Sequence, residues 1–130
     1  MDTVEARYLK IDYDEVVRKL RDYATSKASL RKGVKAIVLT GSLAKGNYTG
    51  SSDADILIIA DNLPNHVLER YSLFAETDLP IDIEPHTYSP EEFLKMVRDL
   101  NHFAIETLRV GIPLYGEKYF RELKARLTGY

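Results

Sequence analysis

The residues from Thr40 to Ala60 read TGSLAKGNYTGSSDADILIIA and decide how this chain folds. A Gly-Ser pair closes one apolar run, and a polar loop then leads to Asp53 and Asp55 at the start of a second. In a strand, residues i and i+2 lie on one face about 6.5 Å apart. Two carboxylates about 5 Å apart repel by roughly 3 kcal/mol at an effective dielectric constant near 20. No lysine or arginine lies within the run, so the pattern predicts a bound divalent cation.

Composition limits the classes of protein that the chain can belong to. Its 130 residues favour one domain, 1–130. The absence of cysteine excludes disulfides, zinc–thiolate sites and thiol nucleophiles. A net charge of −2 gives no general attraction to nucleic acid or membranes, so a nucleic-acid partner is disfavoured without being excluded. MDTVEARYLK has no apolar signal core, and no apolar run approaches the ~20 residues of a membrane span, so we expect a cytoplasmic protein.

The first half of the chain predicts helices that alternate with short apolar strands. Asp12 and Glu15 resemble a capping box, and a helix is expected from there to about Leu30. The β-branched run VKAIVLTG predicts a buried strand. If SLAKG begins a short helix after it, the free N–H groups of that helix face an anion. ADILIIA predicts a second strand, and Pro64 suits the first turn of the next helix.

The second half predicts one more polar-faced strand and two helices. The period-two alternation in LPIDIEPH predicts a strand, and Ser89 begins a capping box for a single helix that ends at Gly111. IPLY predicts a short edge strand because Pro113 lacks an N–H, and a last helix is expected over 117–127. These elements predict an α+β (mixed α/β) fold, with a small mixed sheet of three to five strands flanked by helices.

The alternating strand offers a third carboxylate. Asp82 and Glu84 lie on one face, with His86 two positions further on. If this strand pairs beside the Asp53–Asp55 strand, Asp82 joins the two aspartates, and Glu84 stays open as the alternative third acid. Three acids around two Mg²⁺ ions form a two-metal site, in which Mn²⁺ is an alternative cation. His86 is expected at the edge of the site or as a packing residue.

The Gly-Ser turn predicts a phosphate contact beside these acids. Gly41 allows close backbone approach, Ser42 offers an N–H and a hydroxyl, and Lys45 and Asn47 are further candidates. GSLAKGN lacks the Gly-Lys-Ser/Thr ending of a P-loop, so the spacing excludes that motif.

Gly41-Ser42, ten residues and Asp53-Ala54-Asp55 form the pattern G-S-x10-D-x-D before an apolar strand. This pattern resembles the minimal nucleotidyltransferases of the DNA polymerase β superfamily. IDI at Asp82 resembles the family's third acid, and the resemblance covers about residues 12–116. It implies transfer of a nucleoside monophosphate, AMP from ATP, to an acceptor hydroxyl with release of pyrophosphate.

The resemblance also implies roles for the site residues. Asp53, Asp55 and Asp82 would hold two Mg²⁺ ions, and Asp82 would also help to take the acceptor proton. Gly41 and Ser42 would bind the β- and γ-phosphates.

The resemblance leaves the acceptor open between a partner protein, a small molecule and a nucleic-acid end. Small stand-alone members are commonly antitoxins that adenylylate a tyrosine on a helical HEPN ribonuclease. The alternative is a non-catalytic module that binds nucleotide or partner and neutralises that partner by contact alone. A Mg²⁺ phosphohydrolase is a weaker alternative, since Asp53-Ala54-Asp55 lacks the threonine that follows in haloacid-dehalogenase phosphatases.

Overall fold

The computed structural model describes the backbone of residues 4–46 and 53–128, and the side chains of 13–46 and 53–127. In chain order the elements are α1 (Val4–Leu30), β1 (Val34–Thr40), α2 (Gly41–Lys45), β2 (Ala54–Ala60), α3 (Val67–Phe74), β3 (Ile83–Tyr88), α4 (Pro90–Arg98), α5 (His102–Val110), β4 (Ile112–Tyr115) and α6 (Glu117–Thr128). The strands form one sheet in the order β3-β2-β1-β4. β2 pairs antiparallel with β1 and parallel with β3, and β4 pairs antiparallel with β1. The predicted mixed sheet flanked by helices is confirmed.

Both faces of the sheet are covered, so the protein has three layers. On one face α1 and the end of α3 pack on the sheet through a first core, which includes Val16, Leu20, Ile37, Ile56, Ile58 and Phe74. On the other face α4, α5 and α6 pack through a second core, which includes Val38, Leu57, Ile59, Phe93, Leu108 and Phe120. The central strands β1 and β2 are therefore continuous apolar runs, because their side chains are buried in both directions. The predictions of β1 and β2 are confirmed for this reason.

The predicted single helix from Ser89 to Gly111 is wrong. The capping box at Ser89 and Glu92 is present and begins α4, but α4 ends at Arg98. Leu100 adopts a left-handed conformation with φ of 57° and is exposed. Asn101 then caps α5 by accepting a hydrogen bond from the backbone N–H of Ala104 at 3.0 Å. The apolar spacing continues across the break, which is why periodicity alone joined the two helices.

Three element boundaries also differ from those predicted. The first helix, expected to begin at Asp12, begins earlier, because α1 starts at Val4 and passes through that position. α3 begins at Val67 rather than near Pro64, and His66 caps it by accepting from the Leu68 N–H at 3.2 Å. β3 covers Ile83–Tyr88 instead of 79–86, so Asp82 immediately precedes the strand. Among the described residues, no helix combines the length and the apolar character needed to cross a membrane.

Candidate functional site

Strand register brings three polar side chains to one corner of the sheet. Thr40, the last residue of β1, pairs with Asp55 near the start of β2. In the parallel ladder, Asp55 pairs with Glu84, and Leu57 pairs with His86. Alternation places all of these β2 and β3 side chains on the face that carries the second core. The side chains of Asp55, Glu84 and His86 therefore converge just beyond the buried part of that face.

We call these three residues the Asp55 cluster. One ligand atom from each of Asp55, Glu84 and His86 lies within 4.8 Å of the other two. The Asp55 and His86 side chains are 33% and 25% exposed, and Glu84 is exposed, so the cluster is open to solvent. Within the described part of the chain, neither carboxylate forms an ion pair with a lysine or arginine. Two carboxylates and an imidazole without a paired lysine or arginine form a donor set that fits a divalent cation.

His86 is held in place from two sides. Its Nε2 lies 3.1 Å from Oδ1 of Asp55. Its ring also packs on the ring of Phe103 from α5, with the centroids 4.5 Å apart and the planes tilted by 39°. The imidazole therefore has a defined orientation toward the carboxylates.

Gly41 makes the turn from β1 into α2 directly against Asp55. Its φ is 75°, a left-handed value that an L-residue with a side chain rarely adopts. A Cβ at this position would collide with the Asp55 carboxylate and would lie 3.2 Å from the Asp55 Cβ. The space beside the carboxylate exists because this residue is glycine. The short helix considered for SLAKG is present as α2, which places Ser42, a half-buried residue, next to the same corner.

One face of α5 supports this corner from behind. Thr107 donates a hydrogen bond to the Oγ1 of Thr40 at 3.0 Å, and both side chains are buried. Glu106 pairs with Lys45 of α2 at 3.1 Å, and Phe103 packs on His86. Residues three and four apart on a helix lie on one face, so a single face of α5 contacts β1, α2 and β3. Sequence reasoning missed this support, because nothing in the spacing of these residues identifies which elements they contact.

The ion pair of Lys45 affects its predicted contact with phosphate. The hydrogen bond from Lys45 lowers the pKa of the Glu106 carboxyl below its usual value. Lys45 is thus engaged by a carboxylate, and a phosphate contact would require it to exchange that partner. Asn47, the other candidate phosphate ligand, lies outside the described residues.

The structure separates the four candidate acids into two pairs, one inside the cluster and one just before the strands. Asp55 lies in the cluster together with Glu84, the residue left open as the alternative third acid. Asp53 and Asp82 are both exposed and lie one position before the described strands, outside the cluster. The Ala54 N–H donates to the Asp82 carbonyl at 2.8 Å, so the two acids begin adjacent strands. Alternation predicted that Asp82 and Glu84 share a face, whereas the register decides which of them lies opposite Asp55.

A groove of about 310 Å³ lies beside the cluster and shares His86 with it. The groove runs along the outer edge of β3, beneath α3, and its lining includes Val67, Tyr71, Pro85, Thr87 and Tyr88. Arg70 spans it by donating to Glu92 at 2.7 Å and to the Thr87 carbonyl at 3.3 Å. Burial acts to raise the pKa of Glu92, but the hydrogen bonds from Arg70 and the Ser89 backbone outweigh burial and lower it. The groove is mostly apolar, with one compensated charge pair.

Sequence comparison identifies a family for most of the chain. The sequence profile described as the nucleotidyltransferase domain matches residues 17–109. Two proteins of Methanocaldococcus jannaschii, each named "Putative protein adenylyltransferase", are similar in sequence. One is 34% identical over 83 residues, which are 59% of this chain and 52% of that relative. The other is 51% identical over 35 residues, which are 27% of this chain and 35% of that relative. The chain thus spans about half or less of the length of these relatives.

Solved structures share the fold. A "putative nucleotidyltransferase" from Sulfolobus solfataricus aligns with a TM-score of 0.56 at 16% identity, covering 72% of this chain and 85% of that one. A toxin–antitoxin structure with AMP-PNP aligns with a TM-score of 0.55 at 19% identity, covering 91% of this chain and 85% of that one. At such identities the likeness concerns the fold alone, and the predicted nucleotidyltransferase fold is confirmed.

Proposed function

The chain belongs to the nucleotidyltransferase domain family, and from that premise we propose that it transfers AMP from ATP to an acceptor hydroxyl. The acceptor oxygen forms a bond to the α-phosphorus, the bond from that phosphorus to the bridging oxygen breaks, and pyrophosphate leaves with the electron pair. The acceptor proton passes to a carboxylate or to water. The observation that carries the proposal is the Asp55 cluster beside Gly41, where two acids converge and no lysine or arginine of residues 13–46 and 53–127 pairs with them.

The acids at this corner are proposed to bind cations, and the turn at Gly41 is proposed to contact the phosphates. Asp55 and Glu84 would hold a divalent cation, Mg²⁺ in the first instance, and Asp53 and Asp82 are proposed to complete a two-metal site. When bound, the cations would neutralise charge on the phosphates and on the entering and leaving oxygens. Gly41 lets the backbone lie against Asp55, and we propose that the start of α2 contacts a triphosphate bound to the same cation.

The positions of these groups indicate the side from which the acceptor hydroxyl approaches the α-phosphorus. The attacking and leaving oxygens of phosphoryl transfer lie roughly in line on opposite sides of the phosphorus. If the triphosphate lies on the α2 side, the acceptor hydroxyl must enter from the β3 side. The apolar groove that shares His86 lies on that side. We therefore propose the groove as the entry for the acceptor.

We propose a protein side chain as the acceptor, because the sequence relatives are named protein adenylyltransferases. The toxin–antitoxin assembly among the structural neighbours supports a partner of that kind, such as the HEPN toxin that the family resemblance implies. The groove lining supports this acceptor over a nucleic acid, because its one arginine already pairs with Glu92. The alternative is an antitoxin that binds such a partner without transfer, and a toxin–antitoxin assembly fits either role.

The test is labelling from α-³²P-ATP with Mg²⁺ and cell extract. We expect a labelled protein band with the wild type and a loss of about a hundredfold or more with Asp55→Asn, since the cation loses a charged ligand. Asp61→Asn is the matched control, because it removes the same charge at the opposite end of β2, and it should label normally. Full labelling by Asp55→Asn would refute transfer at this corner. If an Asp53→Asn/Asp55→Asn variant labels no protein but still suppresses a partner's activity, the alternative of neutralisation by binding without transfer is favoured.

A further inference from the structure

An imidazole inside the carboxylate cluster is more than magnesium binding requires. Mg²⁺ prefers hard oxygen ligands and is satisfied by one or two carboxylates with phosphates and water. Here Nε2 of His86 lies 3.1 Å from Oδ1 of Asp55, an oxygen that would hold the cation. We propose that His86 is a direct nitrogen ligand of the cation at this site, and that it shifts the metal preference of the site from Mg²⁺ toward Mn²⁺. The inference rests on the proposed function only in requiring that a cation binds the Asp55 cluster.

The distance between Nε2 of His86 and Oδ1 of Asp55 suits two ligands of one ion. Ligand atoms each about 2.1 Å from a cation and at right angles around it lie about 3.0 Å apart. The Nε2–Oδ1 separation of 3.1 Å meets that condition with the side chains as they stand. The third donor, from the exposed Glu84, lies within 4.8 Å of both. Opposite ligands of one ion are about 4.2 Å apart, so a small movement of the Glu84 side chain brings it to the same ion.

The ring of His86 is also held in an orientation that suits metal binding. Packing on Phe103 and pairing with Asp55 fix which nitrogen faces the carboxylates. Fixed orientation reduces the entropy lost when an ion binds. The other two histidines are placed differently: His66 uses Nδ1 to cap α3, and His102 is exposed at the start of α5. Among the described residues, neither belongs to a group of candidate metal ligands.

The chemistry of the donor set gives the direction of the metal preference. Imidazole is a borderline ligand that suits the first-row transition metals, whereas Mg²⁺ favours oxygen and gives up its water reluctantly. Replacing one oxygen ligand or water by a nitrogen therefore strengthens Mn²⁺ binding more than Mg²⁺ binding. The alternative is that His86 only donates a hydrogen bond to Asp55 and leaves when the cation arrives. Removal of His86 would then leave cation affinity unchanged or raise it.

The experiment uses the purified protein with Mn²⁺ alone, without nucleotide or acceptor. Free Mn²⁺ is measured by electron paramagnetic resonance to give the affinity, and pulsed measurements on the bound ion detect ¹⁴N coupling. The wild type should show ¹⁴N coupling. His86→Gln should lose the coupling and bind Mn²⁺ about tenfold more weakly. Mg²⁺ affinity, measured by competition, should change less than about threefold in the same variant. His102→Gln is the matched control and should keep both the coupling and the affinity.

Other results would overturn the inference. These are a wild type that binds no Mn²⁺ or shows no ¹⁴N coupling, coupling that survives in His86→Gln, and equal loss of Mn²⁺ and Mg²⁺ affinity. Circular dichroism and thermal unfolding of each variant show whether the fold is retained, and the wild-type coupling tests the inference without any variant. The proposed function fails separately, since absence of labelling from α-³²P-ATP leaves the nitrogen coupling untouched.

Discussion

The two ends of β2 contain the same local ingredients and use them differently. Each end has an aspartate against a left-handed glycine: Asp55 against Gly41 with φ of 75°, and Asp61 against Gly33 with φ of 94°. Asp61 is neutralised by Lys35 at 3.3 Å, and its N–H donates to the Gly33 carbonyl at 2.9 Å. Asp55 instead faces Glu84 and a histidine.

The difference shows how a functional acid can be separated from a structural one. Both aspartates fit sharp turns at strand ends, which is ordinary chemistry for that residue. Among the described residues, the Asp55 end differs in keeping two carboxylates together without a paired lysine or arginine, at a separation that costs free energy. An arrangement that costs stability is expected where a ligand supplies the missing charge.

The largest expected effect comes from adding one methyl group at each glycine. Gly41→Ala should lower the free energy of unfolding by more than about 2 kcal/mol, because it combines a left-handed φ with a collision against Asp55. It should also abolish labelling from ATP. Gly33→Ala should cost about 1–2 kcal/mol and leave labelling intact, since the nearest atom, the Asp61 Cβ, is 3.3 Å from the added methyl. Urea unfolding and the labelling assay measure both. Equal loss of labelling in the two variants would remove the contrast.

The next effect is a change in the free energy of unfolding when one carboxylate is neutralised, and its sign differs between the two ends of β2. Glu84→Gln removes one of two like charges, so without metal the free energy of unfolding should rise by about 1 kcal/mol, discounted for solvent exposure. Asp61→Asn removes one partner of an exposed ion pair, so stability should fall by up to about 0.5 kcal/mol. Thermal unfolding in a chelator tests both signs. Mn²⁺ affinity should fall only for Glu84→Gln. A loss of stability in Glu84→Gln would show that this carboxylate makes a favourable contact in the metal-free protein.

The smallest effect concerns pH dependence beside α2. Because the folded pKa of Glu106 is lowered from 4.5, its ionised form stabilises the fold above the unfolded pKa. This contribution is lost as pH falls through the lowered folded value. Glu106→Gln should therefore melt below the wild type at neutral pH, and the difference should vanish in acid. In a Lys45→Met background, where Glu106 keeps only its 3.4 Å contact with Arg109, the same substitution should have a smaller effect. A difference that persists in acid would contradict the assigned cause.

The fold was predictable where burial leaves a simple trace. β1 and β2 are apolar on both faces, so their runs Val34–Thr40 and Ala54–Ala60 stand out in the sequence. The break between α4 and α5 was not predictable from periodicity, because apolar spacing is preserved on both sides of Leu100. Asn101 is a strong cap signal in hindsight, but asparagine also occurs within helices and on their exposed faces.

The candidate site was predictable in its elements and less so in its membership. The spacing from Gly41 to Asp55 brings a turn and an acid to the same place because β1 and β2 form an antiparallel pair. Alternation predicts that Asp82 and Glu84 lie on the same face of β3, but it does not say which of them lies beside Asp55. That depends on the register of the parallel pair, which pairs Asp55 with Glu84. Phe103 and Thr107 were invisible as supports, because helix packing across the sheet has no short-range signal in sequence.

β3 is an outer strand of the described sheet, yet its free edge is a poor template for a further strand. Because the Asp82 carbonyl bonds to β2, alternation turns the backbone groups of Pro85 and Thr87 outward. Pro85 has no N–H to donate, and the Thr87 carbonyl is already taken by Arg70. A polypeptide that approaches this rim cannot extend the sheet there by regular pairing. The protein can therefore keep Glu84 on an outer strand, open to solvent, without offering neighbouring molecules a regular edge for aggregation.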